Sequence, residues 1–268
     1  MLFANRRRDL IVSRVFITGS TDGLGLTAAT LLLSQGHEVV GHARNASRAD
    51  DLRRAAPGIA GVTVGDLSGA AETRSVADQV NTLGRFDAVI HNAGVGYREN
   101  RKLTTTDGHA HVLAINVLAP YLLTALIERP ARLVYLSSGM HRGGTPSVDD
   151  LDWNRRRWNG SQAYSDSKLY DTVLAFAIAR RWPDVFSNAV DPGWVPTKMG
   201  GPGAPGDLSL GHVTQAWLAV SDDPAATISG QNFYHQRPRE VHPAARSQRF
   251  QDELLTALAD LTGVKMPA

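Results

Sequence analysis

Tyr164 and Lys168 have the residue types and spacing for proton chemistry. Four positions apart in a helical pattern, they would lie one above the other on a single face. An ammonium beside a phenol favours the phenolate and draws the tyrosine pKa toward neutrality, where the group can give or take a proton. A bare Tyr-x-x-x-Lys pair is common on solvated helix faces. Here it uses one of only four lysines, at 102, 168, 198 and 265. Ser137 and Ser138 end the apolar run ahead of that helix, and Asn116 interrupts an apolar stretch where a buried amide would need a partner.

A second group of residues suits an anion. Thr18-Gly19-Ser20-Thr21-Asp22-Gly23-Leu24-Gly25 follows an apolar run and opens into a helical pattern. Glycines there let the chain turn tightly and bring a pyrophosphate against the amide groups of a helix N-terminus. An ordinary glycine-rich turn is the simpler alternative, and the strand-turn-helix context weighs against it.

The elements that must carry these residues alternate along the chain. Strands are expected at Arg14–Thr18, Glu38–Ala43, Gly61–Gly65, Phe86–Ile90, Arg132–Leu136, Val185–Val190 and Gln231–Tyr234. Helices are expected from Leu24 to about Gly36 and over Ala46–Ala55, Ala71–Leu83, Asp107–Ile127, Ala163–Arg181 and Ser247–Leu261. Apolar strands alternating with helices predict an α/β fold, a single doubly wound parallel sheet of Rossmann type spanning residues 1–268. Residues 140–163 and 199–215 are expected to be substrate loops. The second holds the Gly/Pro cluster Gly200–Gly206, expected to be mobile over the site.

Composition excludes other classes. Apolar residues at 43% and charged residues at 20% argue against wholesale disorder. A net charge of +2 creates no field that calls for nucleic acid, despite a pI near 9.0. The absence of cysteine removes disulfides, thiolate catalysis and cysteine zinc sites, and suits a cytoplasmic protein. Met1 to Val12 lacks a secretory apolar core, and Val112–Ile127, broken by Asn116, Pro120 and Thr124, is too short for a bilayer; no membrane partner is expected. The nine histidines, including His109 and His111, form no metal-site spacing with carboxylates, so no metal is expected. Arg155–Arg157, flanked by Trp153 and Trp158, reads as a solvated loop over its tryptophans rather than a nucleic-acid stack.

The glycines at 19, 23 and 25 form a G-x-x-x-G-x-G pattern that resembles the short-chain dehydrogenase/reductase family. Other motifs agree with it between about residues 14 and 199: Asp66-Leu67, Asn92-Ala93-Gly94 and Pro192-Gly193, with Val195 and Thr197 beyond. The resemblance implies that Asp66 meets an adenine, and that Val195 and Thr197 meet the carboxamide of a nicotinamide. It further implies a catalytic set of Asn116, Ser138, Tyr164 and Lys168. Ser138 would position a substrate carbonyl, Tyr164 exchange its proton, Lys168 hold the nicotinamide ribose, and Asn116 anchor a water linking the lysine to solvent. The small-molecule substrate would be a carbonyl compound or an alcohol.

Ser138 and Tyr164 stand 26 residues apart, and Met140-His141-Arg142 and Asp149–Trp153 lie between them. This combination is similar to the branch containing retinol dehydrogenases and WW-domain-containing oxidoreductases. That branch commonly carries asparagine three residues after the lysine, where this chain has Asp171. A non-catalytic dinucleotide sensor is the alternative, although such proteins typically lose the tyrosine or lysine. An extended-family epimerase would need more chain than the 69 residues after Met199. NADP(H) is the expected cofactor, with NAD(H) also admissible. Ala43 stands where NAD-specific relatives carry aspartate, Arg44 and Asn45 follow, Arg48 lies near, and a guanidinium can hold a 2′-phosphate. The resemblance implies a homo-oligomer through the helices over 107–127 and 163–181; Leu113, Leu122, Leu126, Val173 and Phe176 suit such a shared face and equally suit core packing.

Overall fold

The structure, a computed structural model, describes residues 12–268, so Met1 to Ile11 of the leading segment lie outside the described residues. Eight strands form one sheet in the order β3-β2-β1-β4-β5-β6-β7-β8. They are β1 (Arg14–Ile17), β2 (Glu38–Ala43), β3 (Gly61–Val64), β4 (Ala88–His91), β5 (Arg132–Leu136), β6 (Phe186–Val190), β7 (Asn232–Tyr234) and β8 (Arg237–Arg239). Neighbours from β3 to β7 run parallel, and β8 returns antiparallel to β7. β1, β2, β4 and β5 are buried along nearly their whole length, as apolar strands covered on both faces must be. The expected doubly wound sheet is the observed one.

Helices cover the two faces. On one side α1 (Gly23–Ser34) lies beside α8 (Val213–Val220), and Ala28, Leu32, Ala216 and Leu218 meet Ile17, Ile90 and Phe233. On the other, α3 (Ala70–Thr82), α5 (Ala119–Leu126), α6 (Gly160–Arg181) and α9 (Gln248–Thr262) join a larger core around Phe86, Tyr121 and Trp182. The short α2 (Ala46–Ala55) packs on β2 and β3. Among the described residues no helix is long and apolar enough to cross a membrane.

Two expectations are corrected. The helix over 107–127 starts only at α4 (His111–Leu113), because Asp107-Gly108 form a turn with Gly108 at φ +88°. Asp107 instead accepts from the Ala70 amide at 2.6 Å, placing an anion at the start of α3. Residues Ala114–Leu118 then widen into a π-helical turn centred on Asn116 before α5 resumes. The loop over 199–215 ends in helix: α7 (Leu208–Gly211) and α8 replace its second half. Its Gly/Pro portion is tied back, with the amides of Gly201 and Gly206 donating to Thr197 O and Trp194 O. Of the residues open to a shared face or to core packing, Leu113, Leu122, Val173 and Phe176 are buried within the chain, where α9 lies along α6.

Candidate active site

β1 leads leftward to β2 and β3 while β4 begins the rightward half, so a crevice opens above the ends of β1 and β4. The glycine turn and Asn92-Ala93-Gly94 meet there. Asn92 Nδ2 donates to Thr18 O and Gly19 O at 3.0 and 3.1 Å, and the Asn92 and Ala93 amides donate to Thr18 Oγ1 at 3.0 Å. The approach leaves no room for side chains. A Cβ at Gly19, whose φ is +62°, would lie 2.8 Å from Ala93 Cα, and one at Gly25 2.4 Å from Gly19 O. α1 begins without a side-chain cap, so its first amides have no side-chain acceptor. A close-approach glycine cradle and an uncapped helix start fit the pyrophosphate of a dinucleotide.

Some residues assigned to that cofactor serve the scaffold instead. Ser20 is fully buried, and its Oγ accepts from the His42 amide at 2.9 Å. His42, which sequence reasoning passed over, bolts the turn down. Its Nδ1 accepts from the Gly19 amide at 3.1 Å, and its Nε2 pairs with Gly65 O at 2.8 Å. Burial holds the His42 pKa below the ordinary value, as this neutral double role requires. Asn45 caps α2 by accepting from the Arg48 amide.

The adenosine end of the crevice is lined by Thr21, Asp22, Arg44, Asp66, Leu67, Ala93 and Gly94. Arg44 is exposed and makes no ion pair among the described residues. Arg48 is engaged with Asp22 and Asp51, each at 2.8 Å, and with Thr21 Oγ1. Lys198, from the segment after β6, reaches Asp22 at 2.8 Å and lines the same crevice.

The chemical end adjoins it. Tyr164 and Lys168 share a groove with Gly23, Leu24, Asn92, Gly94, Pro192 and Thr197. Tyr164 and Ser138 also open into a cavity of about 520 Å³ with Gly193 and Val195 in its wall. Both serines line the cavity beside Tyr164; the Ser137 Oγ is turned to Lys168 O and Thr172 Oγ1, and the Ser138 Oγ accepts from the Met140 amide at 3.2 Å. Asn116 sits in the π-turn, where the ladder is already interrupted. Its Oδ1 accepts from the Val95 amide at 2.8 Å, and its Nδ2 donates to Val95 O and Ser167 Oγ. It thus joins the β4 exit to α6.

Electrostatics around the phenol are opposed. Burial raises the Tyr164 pKa, with Asp171 and Asp191 acting in the same direction, while Lys168 and the Ser138 hydroxyl lower it; the balance is upward. The expected descent toward neutrality is therefore not met, because an enclosed phenolate loses hydration. Lys168 Nζ stands 5.9 Å from the Tyr164 ring centre.

The cavity wall contains residues that no motif flagged: Tyr97, Asp191, Trp194, Met199, Tyr234 and Arg239. The Tyr97 ring meets Tyr164 edge-on at 5.8 Å, and Met199 Sδ lies 3.8 Å from the phenol oxygen. Tyr234 and Arg239 come from the β7–β8 hairpin, whose turn residues His235 and Gln236 both have positive φ. Non-glycine residues rarely adopt that conformation, so the hairpin carries local strain beside the site. Arg156, in the Trp153–Trp158 loop, lies 3.6 Å over the Trp153 ring and pairs with Asp166 at 2.9 Å. Among the described residues no cluster of three His, Asp or Glu is arranged to hold a metal.

Comparison with known proteins agrees with this geometry. The family profile described as short chain dehydrogenase matches residues 13–140. An uncharacterized oxidoreductase of Emericella nidulans is 45% identical over 95% of this chain and 98% of its own. The short-chain dehydrogenase chyC of Penicillium rubens is 39% identical over 96% of this chain and the whole of its own. Human retinol dehydrogenase 13 is 28% identical over 95% and 86%. A crystal structure of an uncharacterized Mycobacterium paratuberculosis protein superposes with a TM-score of 0.82 at 26% identity, covering 97% and 98% of the two chains. The chain is a member of the short-chain dehydrogenase family of oxidoreductases, similar to its retinol dehydrogenase-like branch.

Proposed function

We propose that this protein is an NADP(H)-preferring oxidoreductase that interconverts a small carbonyl compound and its alcohol, with Tyr164 as proton donor and acceptor. The observation that carries the reading is the meeting of two spaces at Tyr164: a glycine-walled crevice on one side, and on the other a 520 Å³ cavity lined by apolar and aromatic side chains. A bound nicotinamide dinucleotide supplies or accepts the hydride. Gly19, Gly23, Leu24 and Gly25 would hold its pyrophosphate, Asp66 and Leu67 its adenine, Lys168 its ribose, and Val195 and Thr197 its carboxamide.

The chain's own part is orientation and proton handling. Ser138 offers a hydroxyl to a carbonyl oxygen in the cavity, and Tyr164 gives that oxygen its proton in reduction or takes it in oxidation. Lys168 supplies the positive charge that keeps the phenolate attainable. Tyr97, Met199 and Val195 exclude water from the reacting end. Preference for a 2′-phosphate rests on Arg44, which makes no ion pair among the described residues at the crevice mouth, and on Ala43 in place of a repelling carboxylate.

The test is a panel of ketones, aldehydes and alcohols followed by reduced-cofactor absorbance, run with NADPH and NADH. Tyr164→Phe should lower turnover by roughly 10²–10⁴-fold with cofactor affinity retained. A variant keeping most of its activity would overturn the assignment, and equal affinity for the two cofactors would overturn the preference.

A further inference from the structure

α6 buries an ionisable group against Lys168 that the proton chemistry above leaves unused. Asp171 is 3% exposed, and its Oδ2 lies 2.7 Å from Nζ of Lys168, itself 4% exposed. A second Nζ proton goes to Leu136 O at 2.7 Å, so two of the three ammonium donors point back into the protein and one remains for the crevice. We propose that Asp171 is a positioning residue that fixes and electrically balances Lys168, holding Tyr164 in its proton-bearing form through neutral and mildly alkaline pH. The inference rests on Tyr164 as the proton carrier.

The physical reason is the difference between a charge and a dipole. A lone ammonium 5.9 Å from the ring favours phenolate. With a carboxylate against it, the pair is neutral as a unit, and its pull on the phenol falls off faster with distance.

Other groups around the phenol do not replace this effect. Asp191, beyond β6, faces the same cavity and disfavours phenolate as Asp171 does. From β5 and β4, Tyr135 and His91 are buried and neutral at working pH, the first raised and the second lowered by burial. His141, held by Ser138 O, is likewise kept neutral by burial. Tyr97 contributes a ring edge, and at the outer groove Lys198 and Arg48 are met by Asp22 and Asp51. Asp171 is therefore the group through which the lysine's charge is set.

Asp171→Asn tests this, because the amide keeps the volume and an acceptor for Nζ while removing the charge. The readout is tyrosinate ultraviolet absorbance against pH on the folded, substrate-free protein, with Tyr164→Phe identifying which transition belongs to Tyr164. That transition should fall by about one unit or more in Asp171→Asn. The alkaline limb of carbonyl reduction should move down with it. An unmoved or raised Tyr164 transition overturns the proposal, even if stability or KM changes. Should the asparagine variant not fold, Asp171→Ser makes the same charge change in a smaller side chain and is read identically. A titration shift without any Tyr164-dependent turnover would instead reject Tyr164 as proton carrier while leaving the electrostatic coupling standing.

Discussion

The two halves of the site are built from different materials. The dinucleotide crevice is made of backbone: Gly19, Gly23 and Gly25 against Asn92 and Ala93, locked by amide hydrogen bonds between adjacent strand ends. The cavity beyond Tyr164 is made of side chains from five separate segments, among them Tyr97, Met140, Trp194, Met199 and Arg239. One half tolerates almost no change in shape, and the other can be altered residue by residue. Damage to the crevice should therefore appear as lost stability and cofactor affinity, and damage to the cavity as altered substrate preference.

The largest expected effect comes from acid, which attacks the scaffold of the crevice. His91 is fully enclosed behind Asn92, with Nε2 against Thr124 Oγ1, and burial lowers its pKa from 6.5 to about 3. A depressed folded-state value means that the contribution to stability is present above pH 6.5 and is lost as pH falls from 6.5 toward 3. A drop of that size corresponds to about 4–5 kcal/mol at the acid end. His42 adds a loss of the same sign. Urea unfolding across this range should show the fall, and His91→Gln should flatten it; an equally steep curve in that variant would remove His91 as the cause.

Next comes Gly25→Ala. Its Cβ would sit 2.4 Å from Gly19 O and 2.5 Å from Asn92 Nδ2, so the turn must open. Overpacking of this kind costs about 1–3 kcal/mol. Cofactor affinity should fall at the same time, because the displaced groups form the cradle. Thermal unfolding together with cofactor titration checks it, and wild-type values for both would show that the crevice is softer than its geometry implies.

This division also explains what could be read without coordinates. Glycine spacing, Asn92-Ala93-Gly94 and Tyr164–Lys168 are local patterns whose residue types are dictated by close approach or, under the proposed function, by proton chemistry. The parallel sheet was equally legible, because strands buried on both faces become continuous apolar runs such as Val15-Phe16-Ile17. Ser20 and Asn45 turn their side chains to the scaffold, because a polar residue in a binding turn can face the ligand or the scaffold, and only the position of His42 or Arg48 decides which. The π-turn at Asn116 leaves no composition signature beyond the amide itself. α8 was hidden by the glycines before it, and its helicity comes from docking on α1 more than from propensity. β8 is short, exposed and contains Pro238, as an edge strand can be and an interior strand cannot.

A smaller effect should separate the crevice's charges from its shape. Arg44→Ala removes the guanidinium without touching the cradle, so NADPH affinity should fall by about tenfold while NADH affinity holds. Equal losses for both cofactors would mean that Arg44 supports the crevice wall and does not read the phosphate.

The smallest effect belongs to the cavity mouth, where Arg239 lies 3.8 Å over the Tyr234 ring. The guanidinium is exposed, so its cation–π contact is worth roughly 0.5–1 kcal/mol. Its charge is also screened by solvent. Arg239 reaches the cavity because β8 folds back through the turn at His235 and Gln236, both at positive φ. Arg239→Ala should therefore raise KM by roughly two- to fivefold for carbonyl substrates long enough to touch Tyr234. Short ketones, kcat and cofactor affinity should be unaffected. Parallel kinetics on a short and a long ketone measure this directly. A uniform loss across both would show that the hairpin supports the reacting end as well as the mouth, and the two halves of the site would then be less independent than their construction suggests.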